Sequence, residues 1–210
     1  MTNPAATFGQ DIGFDDAVED PLDLLDLWLA PVGANRDATD MTTTPLMALA
    51  TVGPDGAPRL RHVLLSSYDR GRLHFHSDAR SAKAAELAAD ARVAATIVWP
   101  EIPRQLSVLG PVVAEDGEEQ ARAFAQRSRY LQLLAWVNDH ELAQRSTAER
   151  VAAWTAFDEA HGTLTPPPTW SGYVIVAQRI TFWRGCDDGP SQRIVCKREP
   201  AGWHVERLPG

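Results

Sequence analysis

Apolar and polar residues alternate with a period of two along much of this chain, and stretches of helical period interrupt the alternation. Asp20-Pro21 opens the first helical stretch: Asp20 suits an N-cap and Pro21 the first helical position. Leu22, Leu25, Trp28 and Leu29 then fall on one face, and Pro31 is expected to end the helix. Residues 33–44 read as a loop. Strand periodicity begins at residue 46 and runs to 52, followed by a turn at Gly53-Pro-Asp-Gly56 and a strand over 58–67. After a turn at Asp69-Arg-Gly71 comes a strand over 72–77, and Asp78 to Ser81 can start a short helix through Asp90. Strands follow near 93–99 and 105–114, with Pro100 and Pro103 marking the reversal between them. Helical spacing returns over 118–127, 130–137 and 147–160. Pro166-Pro-Pro168 is a connector, and 172–183, 192–198 and 203–208 read as three antiparallel strands. Seven or eight short strands with a few inserted helices predict a mainly β, α+β architecture, an antiparallel barrel rather than a doubly wound sheet.

Composition narrows this picture without redirecting it. A chain of 210 residues predicts one domain, over residues 20–210, preceded by a flexible acidic arm over 1–19 that carries Asp11, Asp15, Asp16 and Glu19. That arm has neither the basic start nor the apolar run of a secretory signal, and no apolar stretch reaches a membrane span, so a soluble cytoplasmic protein is expected. The formal charge of -8 argues against nucleic acid as a partner, because affinity for a polyanion comes from clustered cations. Cys186 and Cys196 have neither the spacing of a redox pair nor a matching histidine set, so both are expected as reduced thiols and no metal site is expected.

Candidate chemistry gathers between residues 61 and 110. Ser81-Ala-Lys83 stands where a strand passes into a helix, so a hydroxyl, an ammonium and the first N–H groups of the helix can converge on one anion. Arg61 opens a strand with a planar cationic fork, and Gln105 offers an amide that both donates and accepts. Each has a plainer reading: a capped helix with a solvated lysine, a strand-end ion pair, an exposed edge residue. His62 and His74 read as exposed or edge residues. Of the seven tryptophans, most are expected in the core or at an interface.

Taken together, Arg61, Ser81, Lys83, Gln105 and Trp183 resemble the flavin-binding positions of the pyridoxamine 5′-phosphate oxidase family. The likeness runs from about Leu46 to Trp136 and resumes at Trp170-Ser-Gly-Tyr173, Thr181-Phe-Trp183 and Trp203-His-Val-Glu-Arg-Leu-Pro209. It implies a split barrel forming a two-fold homodimer, with FMN in clefts between the subunits. By the same likeness Arg61 and Lys83 hold the phosphate, His76 and Ser77 lie along the cofactor, and His62, Val63, Leu64 and Ser66 belong to the adjoining stretch. Gln105, Trp183 and Lys197 complete the site, some of them from the partner. Lys197 stands where an arginine is usual, which keeps the charge and loses the bidentate fork.

The substrate half departs from the pattern. Where family members grip a substrate phosphate with lysine, tyrosine, arginine and serine, this chain has Ser66, Ala123, Arg127 and Leu131. Losing a charged hydrogen bond and two neutral ones removes about 3–5 kcal/mol of binding. Arg193 is retained in the C-terminal motif, but Val195 takes the place of a histidine, and Arg129 and Tyr130 lie close enough in sequence to be considered as replacements. The resemblance therefore implies an FMN-dependent oxidase that passes a hydride from a ring substrate to the flavin and electrons to dioxygen. Ser66, Arg127, Arg193 and Val195 are its expected substrate contacts, and the family's phenazine-biosynthesis branch shows how such a site is reused. The alternatives are a pyridoxine or pyridoxamine 5′-phosphate oxidase in the strict sense, and a flavin-binding protein without turnover.

Overall fold

The computed structural model describes residues 18–34, 46–99 and 102–210. Most of the expected arm over 1–19 and of the expected loop over 33–44 lies outside those residues, as does Pro100 of the expected reversal. Helix α1 (Pro21–Ala34) is followed by strands β1 (Leu46–Val52), β2 (Pro58–Leu64), β3 (Ser67–Asp69) and β4 (Arg72–Asp78), then α2 (Ala82–Ala89). Strands β5 (Arg92–Trp99) and β6 (Arg104–Ala114) precede helices α3 (Gly117–Ala125), α4 (Arg129–Val137), α5 (His140–Ala143) and α6 (Thr147–Ala160). The chain closes with β7 (Trp170–Val176), β8 (Arg179–Arg184), β9 (Gln192–Glu199) and β10 (Gly202–Pro209).

Strand β6 organises the molecule because two sheets share it. Its first six residues pair with β8, and residues 104–111 pair with β5, in a sheet of order β10-β9-β8-β6-β5-β1-β2. Residues 112–114 leave that sheet to pair with β7, which continues through β4 to β3. All pairs are antiparallel, and the molecule is a split barrel with peripheral helices. The crossing is possible because residue 110 is glycine: a Cβ there would lie 1.9 Å from the Val176 carbonyl oxygen. The two sheets also approach where the Ser66 N–H donates to the His74 carbonyl at 2.8 Å.

The alternation read from sequence is the burial pattern observed. In β1, Met47, Leu49 and Thr51 face inward, as do Val93, Ala95 and Ile97 of β5, and together with Phe75, Ile180 and Phe182 they build the main core. Leu24, Leu25, Trp28 and Leu29 of α1 cover one side of that core, with the Leu22 N–H bonded to Asp20 Oδ1 at 2.9 Å. A smaller cluster of Phe124, Leu133, Leu164 and Trp170 joins α3 and α4 to the start of β7.

Several expectations are corrected. Helix α1 runs through Pro31 to Ala34; a proline in the last turn loses one backbone bond and leaves the rest of the helix in place. Residues 172–183 form two strands, since the N–H groups of Ala177 and Gln178 turn away to the carbonyls of Gly71 and Leu109. With the short β3 this gives ten strands among the described residues, against the seven or eight expected. Helix α5 was not anticipated.

Candidate functional site

Three groups of predicted residues meet at the N-terminal end of α2. Ser81 caps the helix, its Oγ accepting from the Ala84 N–H at 3.4 Å. Lys83 Nζ donates to Ser77 Oγ at 2.9 Å, and Ser77 Oγ lies 3.4 Å from Ser81 Oγ. Arg61 reaches the same end of the helix from β2, where its guanidinium donates to Glu86 Oε2 at 2.5 Å and to Thr51 Oγ1. Glu86 also accepts from Thr51 at 2.5 Å; that bond, with Arg61 adding to it, holds its carboxyl below the ordinary range despite burial. Burial, and then the charge of Arg61, push the Lys83 ammonium below its usual value, so the two cations share one neighbourhood. Arg61 and Lys83, with Glu86 and the Arg80-paired Asp78 as neighbouring carboxylates, two hydroxyls and the first turn of a helix, make a donor set that fits a phosphate monoester.

A second group lies elsewhere in the same chain. Register places Gln105 opposite Trp183 and Trp183 opposite Arg193, so three predicted residues form a row across β6, β8 and β9. Gln105 is exposed but not on an edge strand, since β6 pairs on both sides. Val195 and Lys197 follow on the same face of β9; Lys197 is exposed and Val195 is buried at 2%. Arg61 points the other way, sharing the inner face with its partner Leu49, while His62 is exposed on the opposite face; Val63 is buried and Leu64 half-buried. Five strand-to-strand steps of the sheet separate β2 from β9, about 24 Å along it. Within one chain the row and the α2 end do not meet.

A third cluster carries residues that sequence reasoning missed. Glu115, just past β6, is buried, and its carboxylate takes His74 Nδ1 at 2.6 Å and His76 Nε2 at 2.7 Å. His76 Nδ1 lies 2.9 Å from Ser66 Oγ, which also accepts from the Arg127 guanidinium at 3.3 Å. Trp170 stacks on His76, centroids 4.8 Å apart, and Arg127 lies over the same indole at 4.4 Å. Burial overrides the attraction of Glu115 and pushes the His76 pKa down to about 4, and burial pulls Arg127 to about 10. Residue 172 must be glycine for this packing, because a Cβ there would sit 2.2 Å from Glu115 Oε2.

The expectation for His74 is corrected here. It sits between β3 and β7 with its side chain 14% exposed and bonded to Glu115, not on an exposed edge. Trp170 is buried in the smaller core, as expected, and its ring also stacks on this polar cluster. A signal for the cluster was present in His74 and His76, two residues apart on one face of a strand, but nothing local pointed to Glu115 about forty residues away. Of the predicted substrate contacts, Ser66 and Arg127 are brought together. Leu131 is buried in α4. Arg129 is committed to α6, through Asp158 at 2.7 Å and the carbonyls of Gly162 and His161, and Tyr130 is exposed against Trp154. Cys186 and Cys196 are both free thiols, and burial pushes Cys196 up to about 12. Among the described residues no helix is long and apolar enough to cross a membrane, and no group of three or more acidic, histidine or cysteine side chains is placed to hold a metal ion.

Comparison with known proteins places this geometry. Residues 38–163 match the family described as pyridoxamine 5′-phosphate oxidase, and residues 170–209 match the pyridoxine 5′-phosphate oxidase C-terminal dimerisation region. A pyridoxine/pyridoxamine 5′-phosphate oxidase of Sphingopyxis alaskensis is 35% identical over 88% of this chain and 85% of its own. One of Thermobifida fusca is 34% identical over 90% and 87%. Among solved structures, PhzG from Burkholderia lata, in complex with tetrahydrophenazine-1-carboxylic acid, superposes with a TM-score of 0.79 at 23% identity, covering 94% of this chain and 96% of that one. A pyridoxamine 5′-phosphate oxidase-related, FMN binding protein from Nostoc punctiforme gives 0.68 at 17% identity, over 93% and 99%. The row on β8 and β9 falls inside the dimerisation region and the α2 end inside the oxidase region, and on both matches the chain belongs to the pyridoxamine 5′-phosphate oxidase family.

Proposed function

We propose that this protein is a cytoplasmic, homodimeric, FMN-dependent oxidase acting on a ring compound other than pyridoxine or pyridoxamine 5′-phosphate. The observation that carries the cofactor is the convergence of Arg61, Lys83, Ser77 and Ser81 at the start of α2. These groups would hold the phosphate of FMN, with Glu86 and Thr51 fixing the Arg61 fork in advance. Bound there, FMN would supply the redox chemistry, hydride acceptance from the substrate and passage of two electrons to dioxygen to give hydrogen peroxide. Val63 to Ser66 would supply backbone along the cofactor, Trp183 and Lys197 would come from the dimerisation region, and Gln105 would join them from the same face of β6. Arg127 and Ser66 would orient the substrate, with Arg193 approaching its ring and Val195 leaving that wall apolar.

The different substrate is supported by Ser66, Ala123 and Leu131 standing where family members hold a phosphate ester, and by the tricyclic acid bound to the PhzG neighbour. A second reading, a pyridoxine 5′-phosphate oxidase in the strict sense, is favoured by the names of the curated relatives. Peroxide production separates the two. Turnover of reduced heterocycles with little from pyridoxine 5′-phosphate is the expected result, and efficient turnover of micromolar pyridoxine 5′-phosphate selects the second reading. The cofactor assignment is tested apart from turnover: Arg61→Ala and Lys83→Ala should emerge folded by circular dichroism but without the yellow flavin absorption of the wild type. Retention of full colour by both variants removes the phosphate assignment.

A further inference from the structure

The cluster around Glu115 has a direction. An ionised carboxylate only accepts, so His76 presents its N–H at Nε2, 2.7 Å from Glu115. A neutral imidazole has one N–H, which makes Nδ1 an acceptor, and the proton in its 2.9 Å bond comes from the Ser66 hydroxyl. Burial keeps His76 neutral well below pH 7. With its single proton turned inward, Ser66 offers only lone pairs on its other side, and Arg127 donates to them at 3.3 Å. The hydrogen bonds thus run one way, from Arg127 through Ser66 and His76 to Glu115. The second imidazole, of His74, bonds the other carboxylate oxygen at 2.6 Å and closes the chain from behind.

Arg127 is the other half of the observation. It is partly buried, stays charged with a pKa near 10, lies over Trp170, and among the described residues forms no ion pair with a carboxylate. A desolvated guanidinium without a counter-charge calls for an anion from a ligand. We infer that the Glu115–His76–Ser66 chain is a specificity device: it withholds the Ser66 proton, keeps one negative charge behind the site, and so fits Arg127 to a ring compound bearing a single negative charge, such as a carboxylate, rather than to a phosphate dianion. Glu115 is on this account a positioning residue, acting through His76 and Ser66. The inference rests on the reading of this cleft as the oxidase's substrate site. The attraction of Arg127 for a second charge on the ligand is offset by the greater cost of desolvating a dianion, and the repulsion that remains from Glu115, on the order of 10 Å away at an effective dielectric near 20, is expected to weaken binding about tenfold.

Three probes with the same ring test it. At pH 8 the flavin-loaded protein is titrated by calorimetry with 1-naphthoate, 1-naphthalenesulfonate and 1-naphthyl phosphate, which separate charge from shape because the sulfonate is tetrahedral but singly charged. The carboxylate and the sulfonate are expected to bind about tenfold more tightly than the phosphate. In Glu115→Gln the amide can donate to His76, which frees the Ser66 proton and removes the charge, so the preference should shrink at least about fivefold; Glu115→Asp should keep the wild-type order. Tightest binding of the phosphate by the wild type, binding of none of the three, or an unchanged ratio in folded Glu115→Gln overturns the inference. Should Glu115→Gln not fold, the wild-type order decides alone. Failure of the oxidase reading shows separately, as a colourless protein that takes up no added FMN, and calorimetry with the same probes can still be read on it.

Discussion

His76 has an imidazole whose charging the fold resists. Its side chain has no exposed surface, and its pKa falls to about 4 from an ordinary value near 6.5 because burial outweighs the attraction of Glu115. Between those two values the unfolded chain binds a proton that the folded chain does not. The contribution is therefore complete above pH 6.5 and is lost as pH falls towards 4. Lowering the pH from 8 to 5 should remove about 2 kcal/mol through this residue alone. Urea denaturation of the wild type and of His76→Gln at both pH values checks it: the variant should lose less stability on acidification, and parallel losses would sink the assignment. The same cluster shows what single residues disclose in a sequence. Ser81 was legible as a helix cap because capping is a local habit of the chain, whereas Arg61 and Lys83 were joined to it as phosphate ligands only through the family resemblance. Glu115 was not legible, because its two imidazole partners come from β4 and the room for its carboxylate comes from Gly172 on β7, and only the folded sheet brings these together.

At the scale of elements, β6 bears the heaviest demand, since it serves β5 and β8 with one half and β7 with the other. The transfer between sheets happens beside Gly110, where Val176 presents its carbonyl oxygen and Gln178 donates to the Leu109 carbonyl at 2.9 Å. Gly110→Ala puts a methyl group into backbone, which cannot swing aside as a side chain would. The expected loss is about 3 kcal/mol or more, read as a fall in the thermal midpoint or as insoluble expression. A variant of wild-type stability would mean that the two sheets do not meet as closely as described. Strands β1, β4, β5 and β6 could be placed from sequence to within a residue or so, because each buries one face and alternation reports that directly. The break between β7 and β8 left no such mark: Ile175 and Ala177 are buried on either side of Val176, and the turn uses neither glycine nor proline. Helix α6 was legible through its helical spacing, and the structure adds a capping box of Ser146 and Glu149, although no residue of the helix is fully buried.

For the whole molecule, the distribution of the candidate residues poses a question that one chain does not answer. Arg61 and Lys83 stand at the start of α2, whereas Gln105, Trp183 and Arg193 lie in a row on the outer face of the other end of the sheet. One small ligand cannot span both groups in a single subunit, and on the function proposed above a two-fold partner would bring the row of one copy to the α2 end of the other, twice over. Leu46, Leu60 and Val98, exposed on the sheet face that carries the row, would give that contact an apolar surface. Complementation between defective subunits follows. Let Arg61→Ala/Lys83→Ala chains and Trp183→Ala/Lys197→Ala chains each lose FMN as homodimers, and let them be co-expressed with different tags. Each mixed dimer then has one cleft with every defect and one with none. Random pairing should restore FMN to about a quarter of all clefts, and to half of those in dimers purified through both tags. Flavin absorbance per subunit in that doubly tagged fraction measures it. No recovery in the mixed dimers would place both groups in the service of one chain, and the shared cleft would have to be abandoned.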